Sequence, residues 1–397
     1  MSGVGTAEAP TGELRELDGE PGYHIAHLEG LAPFFMSVVS DSDLWLFLSS
    51  TGCLTAGRRD PDQALFPYTT DDRIHDSAEV TGGKTLLRVT RGGETALWEP
   101  LSERQAGRWR LERALWKGTL GHRVQLEEVN LDLGLTYRCQ WATSERHGVV
   151  RRVELEAWGD APVAVELLDG LQNVLPHGLD RRFQMEYSTL ADGYKRTELL
   201  EDVGLALFRL SSIPVDKAEP CEALRVNVAW ATGLEARTHL LSSAQLGAFR
   251  RGEGLRPEAD VRGQRGAFFV HSGFALEPGT RRAWWVVADV GLDAAAVVAL
   301  RQTLRDTSER GCELDAAVAD GGRNLRSLVA SVDGLQVTAD ALSGARHYAN
   351  ALYNVMRGGL PLAGGEVSSA DFITFLARSN RDLAASPLLQ ALPERLS

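Results

Sequence analysis

The chain has 397 residues, 44% of them hydrophobic and 24% charged, proportions that suit two or three domains around a sizeable core. Its 42 basic and 54 acidic residues leave a formal charge of -12, which opposes binding to nucleic acid or to an anionic membrane. Cys53, Cys139, Cys221 and Cys312 stand far apart with no C-x-x-C spacing, so neither a zinc site nor a disulfide framework is expected, and the expected compartment is a reducing cytoplasm.

The first 22 residues are polar, acidic and rich in Gly and Pro, without the basic and apolar halves of a secretory signal, and are expected to form a mobile arm. Nowhere do about 18 uninterrupted apolar residues occur, so no transmembrane helix is expected. From Tyr23 to about residue 290 the dominant period is two, the signature of strands with one buried face. After the strand-like DLWLFLSS comes LTAGRRDPDQALFPYTTDDRIHDS, Leu54 to Ser77, a charged stretch with no repeating apolar pattern that reads as a long loop at one end of a sheet. Further on, Val153, Leu155 and Ala157 alternate with Glu154, Glu156 and Trp158, and Val163, Val165 and Leu167 resume the alternation after Gly159-Asp160-Ala161-Pro162. That pattern predicts a β-hairpin.

Leu224, Val226, Val228 and Trp230 alternate with Arg225, Asn227 and Ala229, whereas Arg282 to Val290 is nearly continuously apolar and suits a central strand. Gly- or Pro-containing breaks recur throughout, marking many short strands rather than βαβ units. The fold class expected is mainly β with a C-terminal helical region: a large antiparallel β-supersandwich over residues 23–290 and a helical linker over residues 291–397. Asp293 is the expected cap of a first helix carrying Val297, Val298, Leu300 and Leu304, stopped at Gly311. A second follows from about Glu313 with a break at Gly321-Gly322, a third runs from about Thr338 to Met356, and a fourth is announced by Ser368-Ser369-Ala370-Asp371. The final LLQALPERLS is an apolar helix face with little left to cover it, so the linker is read as truncated before a further domain.

Chemistry-bearing residues concentrate in the loop. Asp71, Asp72 and His75 offer ligands for a divalent ion, but no second ligand cluster is recognisable, so no metal is expected. Arg58 and Arg73 suit bidentate contacts to a phosphate or carboxylate, or equally ion pairs with neighbouring aspartates. Trp98 is the indole singled out for stacking on a sugar face, with a place in the core as its other reading. No nucleophile elbow, catalytic cysteine or phosphate-binding glycine motif occurs, so no catalytic residue and no cofactor is assigned.

Three stretches carry a resemblance: the Leu54–Ser77 loop; ALWKGTLGHRVQLEEVNLDLGLTYRCQWATSERHGVVRRVELEAWGDAPVAVELLDGLQNVLP; and RHYANALYNVMRGG followed by ADFITFLARSNRDLAA. They look like the front part of large bacterial proteins distantly similar to the cellobiose phosphorylase-type carbohydrate enzymes. That resemblance implies a galactose mutarotase-like supersandwich, a helical linker, and then an (α/α)6 barrel that supplies the catalytic acid while phosphate attacks. It implies, for this chain, a non-catalytic N-terminal region that packs on the barrel and shapes its sugar site. Carbohydrate, with or without phosphate, and a helical-barrel domain or partner chain are the expected partners, and Arg58, Asp71, Asp72, Arg73, His75 and Trp98 the residues expected to face the sugar. A stand-alone carbohydrate-binding or scaffold module is the alternative.

Overall fold

The computed structural model describes residues 9–186, 188–213, 222–306, 310–333, 339–356 and 369–379. Among them, two antiparallel sheets face each other across one core. The large sheet has eleven strands, with Arg123–Asn130, Leu135–Ser144, Gly148–Ala157, Arg281–Asp293 and Arg225–Thr232 side by side in its middle. The small sheet has five, built around Val163–Val174 between Gly82–Arg91 and Gly266–Leu276. A three-stranded sheet of Phe35–Val38, Leu44–Ser49 and Leu54–Arg58 adds Leu46, Leu48 and Ala56 to the same core. The chain is therefore mainly antiparallel β with helices at its C-terminal end, as the change of period predicts.

Alternation along each strand decides what fills the space between the sheets. Tyr137, Trp141, Val153, Leu155, Trp284 and Val286 project inward from the large sheet and meet Leu87, Val89, Val165, Leu167 and Phe268 of the small one. Arg281–Asp293 lies centrally and is covered on both faces. Trp284 and Val286 point into the sandwich, while Val287 and Trp285 lie outside against Leu314 and Val318 of helix Arg310–Asp333. Helix Leu246–Arg251 closes the outer face of the small sheet through Leu246 and Phe249.

Two expectations about the strands are corrected. Gly148–Ala157 and Val163–Val174 are not a hairpin, because they belong to opposite sheets and their connection crosses the sandwich. Both strands present Val and Leu inward, and a period of two specifies the buried face without specifying the partner. The N-terminal stretch is not a mobile arm from Thr11 onward: Thr11–Leu17 pairs with Glu20–Ala26, which pairs with Leu111–Gly118 at the edge of the large sheet. Asp18 and Gly19, at φ 50° and 77°, make the two-residue turn with both central residues left-handed that Asp-Gly favours.

The glycines expected to stop or break helices do neither. Asp293 caps Ala294–Arg305 by accepting from the Ala296 amide at 2.9 Å, as expected, but that helix ends at Arg305. Gly311 lies inside the next helix, where a Cβ would come within 2.4 Å of the Trp285 ring, and a Cβ at Gly322 would come within 2.7 Å of His122 Nε2. Helix Arg310–Asp333 runs unbroken because these glycines let its backbone approach the sheet.

Met1–Leu325 form one compact unit and Arg326–Ser397 a second. In the second, Ala341–Met356 is capped by Asp340, which accepts from the Leu342 and Ser343 amides, and Ser369–Ser379 presents exposed Phe372 and Phe375. Ser368, the side chains of Leu352, Tyr353 and Met356, and LLQALPERLS lie outside the described residues. Among the described residues no helix is long and apolar enough to cross a membrane.

Candidate functional site: a charged cleft on the outer face of the large sheet

The same alternation that builds the core lays polar residues on the opposite face. Arg138 stands directly opposite Glu127 on one neighbouring strand and Glu154 on the other. Its Nε donates to Glu127 at 2.6 Å, and its Nη1 donates to Glu154 at 3.1 Å and to Glu156 at 2.5 Å. Arg152 completes the row, donating to the second oxygen of Glu154 at 2.9 Å. Opposite charges placed across a ladder in this way hold one another's rotamers. Burial alone would lower the Arg138 guanidinium, but its hydrogen bonds to Glu156 and Glu127 and the negative charges of both outweigh it and hold the group further above its usual range.

This lattice floors a cavity of about 250 Å³. One wall is the N-terminal hairpin, through Arg15, Leu17, Asp18 and His24, and Trp116 and Arg281 close other sides. Burial, seconded by the nearby charge of Arg15, pushes the His24 imidazole below its ordinary value, so it is neutral at neutral pH. Beyond Arg152, Asp315 of helix Arg310–Asp333 accepts from Trp285 Nε1 at 2.8 Å, and burial raises its carboxyl above the usual range. Trp158, on the same face two residues beyond Glu156, is 46% exposed and donates to Thr136 at 3.1 Å. The cleft thus offers fixed donors and acceptors in alternation, a neutral imidazole and, alongside, an open indole.

The residues expected from sequence lie elsewhere. Trp98 is fully buried, with Nε1 donating to Glu128 at 2.8 Å and its ring edge-on to Tyr137, so it fills the core, the other reading weighed for it. Arg58 is spent on structure: it donates to Asp289 at 2.7 Å, to Asp43 at 2.6 Å and to the Glu145 carbonyl at 2.9 Å. Asp71 and Arg73 pair with each other on the surface, Asp71 also capping the turn Asp72–Ser77, and Asp72 is exposed beside them. His75 is anchored through Nδ1 to Ser49 Oγ at 2.6 Å and lines a rim cavity of about 500 Å³. Among the described residues no group of three His, Cys, Asp or Glu could hold a metal ion.

Sequence reading missed the cleft because its residues are scattered from Arg15 to Arg281. Two signals were present. The Asp18-Gly19 pair marks the hairpin wall, and the Glu-Arg alternation in VRRVELEAW marks a polar outer face.

The sequence matches no protein-family profile and no curated protein. Among solved structures, a bacterial glucoamylase complexed with acarbose aligns at 8% identity and a TM-score of 0.45, over 78% of this chain and 39% of that one. A protein assigned as a kojibiose phosphorylase from the human microbiome aligns at 9% identity and 0.30, over 66% and 27%. One assigned as an aldose 1-epimerase from Escherichia coli K12 aligns at 11% and 0.32, over 65% and 99%. This chain thus spans well under half of the first two.

Proposed function

We propose that the outer-face cleft binds a carbohydrate, and that the chain is the sandwich-and-linker region of a carbohydrate-active protein. In this reading a helical-barrel domain or partner chain supplies the bond-breaking groups. The observation that carries the proposal is the lattice of Glu127, Arg138, Glu154, Glu156 and Arg152. A sugar ring presents hydroxyls that both donate and accept along one edge and an apolar C–H face. A floor of alternating carboxylates and guanidiniums matches the first, and the exposed Trp158 indole beside it matches the second.

A non-catalytic role is supported by how those carboxylates are used. Glycoside cleavage needs carboxyl groups free to face the scissile bond, and Glu127, Glu154 and Glu156 are each taken up by a guanidinium. The floor is built to hold a ligand in place. In solution this region is read as cytoplasmic, in keeping with its separated cysteines.

Calorimetry against a panel of neutral oligosaccharides tests the binding half. Arg138→Ala and Trp158→Ala are each expected to weaken affinity about ten-fold or more, equivalent to about 1.4 kcal/mol. Absence of binding at millimolar sugar overturns it. Sustained hydrolysis or phosphorolysis of a glycoside by the purified chain overturns the non-catalytic half.

A further inference from the structure

A second recess lies at the rim of the sandwich, where the loop that follows Leu54–Arg58 meets the chain after Val163–Val174. Its volume of about 380 Å³ is in the range of small-molecule pockets. Thr69 and Ser77 line it from the loop side, and Asn173, Asp192, Lys195 and Arg265 from the other. It is separate from the outer-face cleft, with which it shares no lining residue.

Its charges are unevenly matched. Lys195 is largely buried and gives one ammonium proton to Asp192 at 2.7 Å, which leaves two further donors on the same nitrogen. Among the described residues Asp192 is the one carboxylate lining the recess. Arg265 also lines it, and among the described residues its guanidinium makes no hydrogen bond or ion pair. Among the described residues two cations therefore share one acid, in a protein whose net charge is -12. The backbone is bent beside them. Asn173 sits at φ 56°, where the pairing of Val163–Val174 with Gly266–Leu276 shifts register, and its amide donates to Thr81 at 2.9 Å. A non-glycine residue held in the left-handed region marks a place where the surrounding structure overrides local preference.

We infer that this rim cavity binds a small polyhydroxylated molecule carrying one carboxylate or phosphate, with the anion held between Arg265 and Lys195. Charge-assisted bonds from a guanidinium fork and an ammonium stabilise such an anion far more than a neutral hydroxyl. Thr69 and Thr189 line the remainder of the recess, where the rest of the ligand would lie. The inference does not depend on the outer-face reading.

The test is calorimetry on the whole chain with glucose 6-phosphate, glucuronate and glucose. One of the two charged sugars is expected to bind at least about ten-fold tighter than glucose, and which one does so identifies the anion. Arg265→Ala is expected to remove that preference while leaving Tm unchanged, since Arg265 is exposed. Glu154→Gln, in the other cleft, is expected to leave charged-sugar binding intact, and Arg265→Ala to leave neutral-oligosaccharide binding intact, so the two readings fail separately. Equal affinity for glucose, persistence of the preference in Arg265→Ala, or no heat from either charged sugar at millimolar concentration overturns the inference.

Discussion

The inner and outer faces of the large sheet carry the same chemistry, arginine against carboxylate, in two different surroundings. Arg151 and Arg152 are adjacent in sequence, yet alternation sends one into the core and the other into the cleft. Arg151 is 1% exposed; it donates to both oxygens of Asp169, at 2.9 and 3.0 Å, and also to Thr85, Tyr137 and Cys139. Asp169, fully buried, accepts from Thr85 and Trp284 as well. Around Arg152 the pairs are looser and partly wet: Asp315 lies 3.8 Å away, and Glu154 has to serve Arg138 and Arg152 together. The contrast teaches that an ion pair reports structure or recognition according to whether solvent, and hence a ligand, can reach it.

The largest expected effect lies on the inner face. Asp169→Ala strands a buried guanidinium and is expected to cost about 3–5 kcal/mol of unfolding free energy in urea titrations. Combining Arg151→Met with Asp169→Leu is expected to cost much less than the single change, and a single-mutant loss under about 1 kcal/mol would break the comparison. Next in size is Trp98→Phe, which removes one buried hydrogen bond and some packing, about 1–2 kcal/mol by the same assay. Glu128 keeps Arg113 and the Leu101 amide, and sugar binding is expected to stay unchanged.

The ion pair of Lys84 with Glu79, 2.7 Å apart, is intermediate and is read by pH. Burial would raise the Glu79 carboxyl, but hydrogen bonds from Lys84, Ser102 and Arg104 outweigh it and hold it at about 2, against 4.5 in the unfolded chain. A folded pKa below the unfolded one contributes stability that is present above pH 4.5 and is lost as pH falls toward 2. Glu79→Gln is expected to flatten that acid limb; an unchanged slope of stability against pH would show that other carboxylates carry it. Smallest is Glu156→Gln on the outer face, within about 1 kcal/mol of the parent because the pair is partly exposed.

How much was legible follows from the same geometry. The period of two marks Val226 to Trp230 and Arg282 to Val290 as strands because side-chain direction is a local property, but it does not settle which face meets the sandwich core: Leu224 is exposed, and Ala229, alternating with Val228 and Trp230, is the residue that points into it. Strand partners are not local: Ala157 and Val163 carry the same inward signal whether they turn back within a sheet or cross to the other. The helices were readable where a cap announced them, as at Asp293, and misread where glycine served close packing against Trp285 and His122. The candidate site was almost illegible. The loop from Leu54 to Ser77 is dense in charge, but Arg58, Arg59, Asp71 and Arg73 are taken up in ion pairs, Arg58 with Asp289, 231 residues away. Cross-strand register assembled the cleft, and no single stretch of sequence contains it.

The hairpin that walls the cleft has a second consequence. Among the described residues its outer strand, Thr11–Leu17, is the last in an eleven-stranded sheet, and an edge of that kind is a template for pairing with another chain. Glu13, Arg15 and Glu16 stud that margin with charge, and the opposite margin is only Asp260–Arg262, three residues with a charge at each end. The strand that shapes a binding surface therefore also guards the sheet against growing, so that lengthening or neutralising it is a route to fibres.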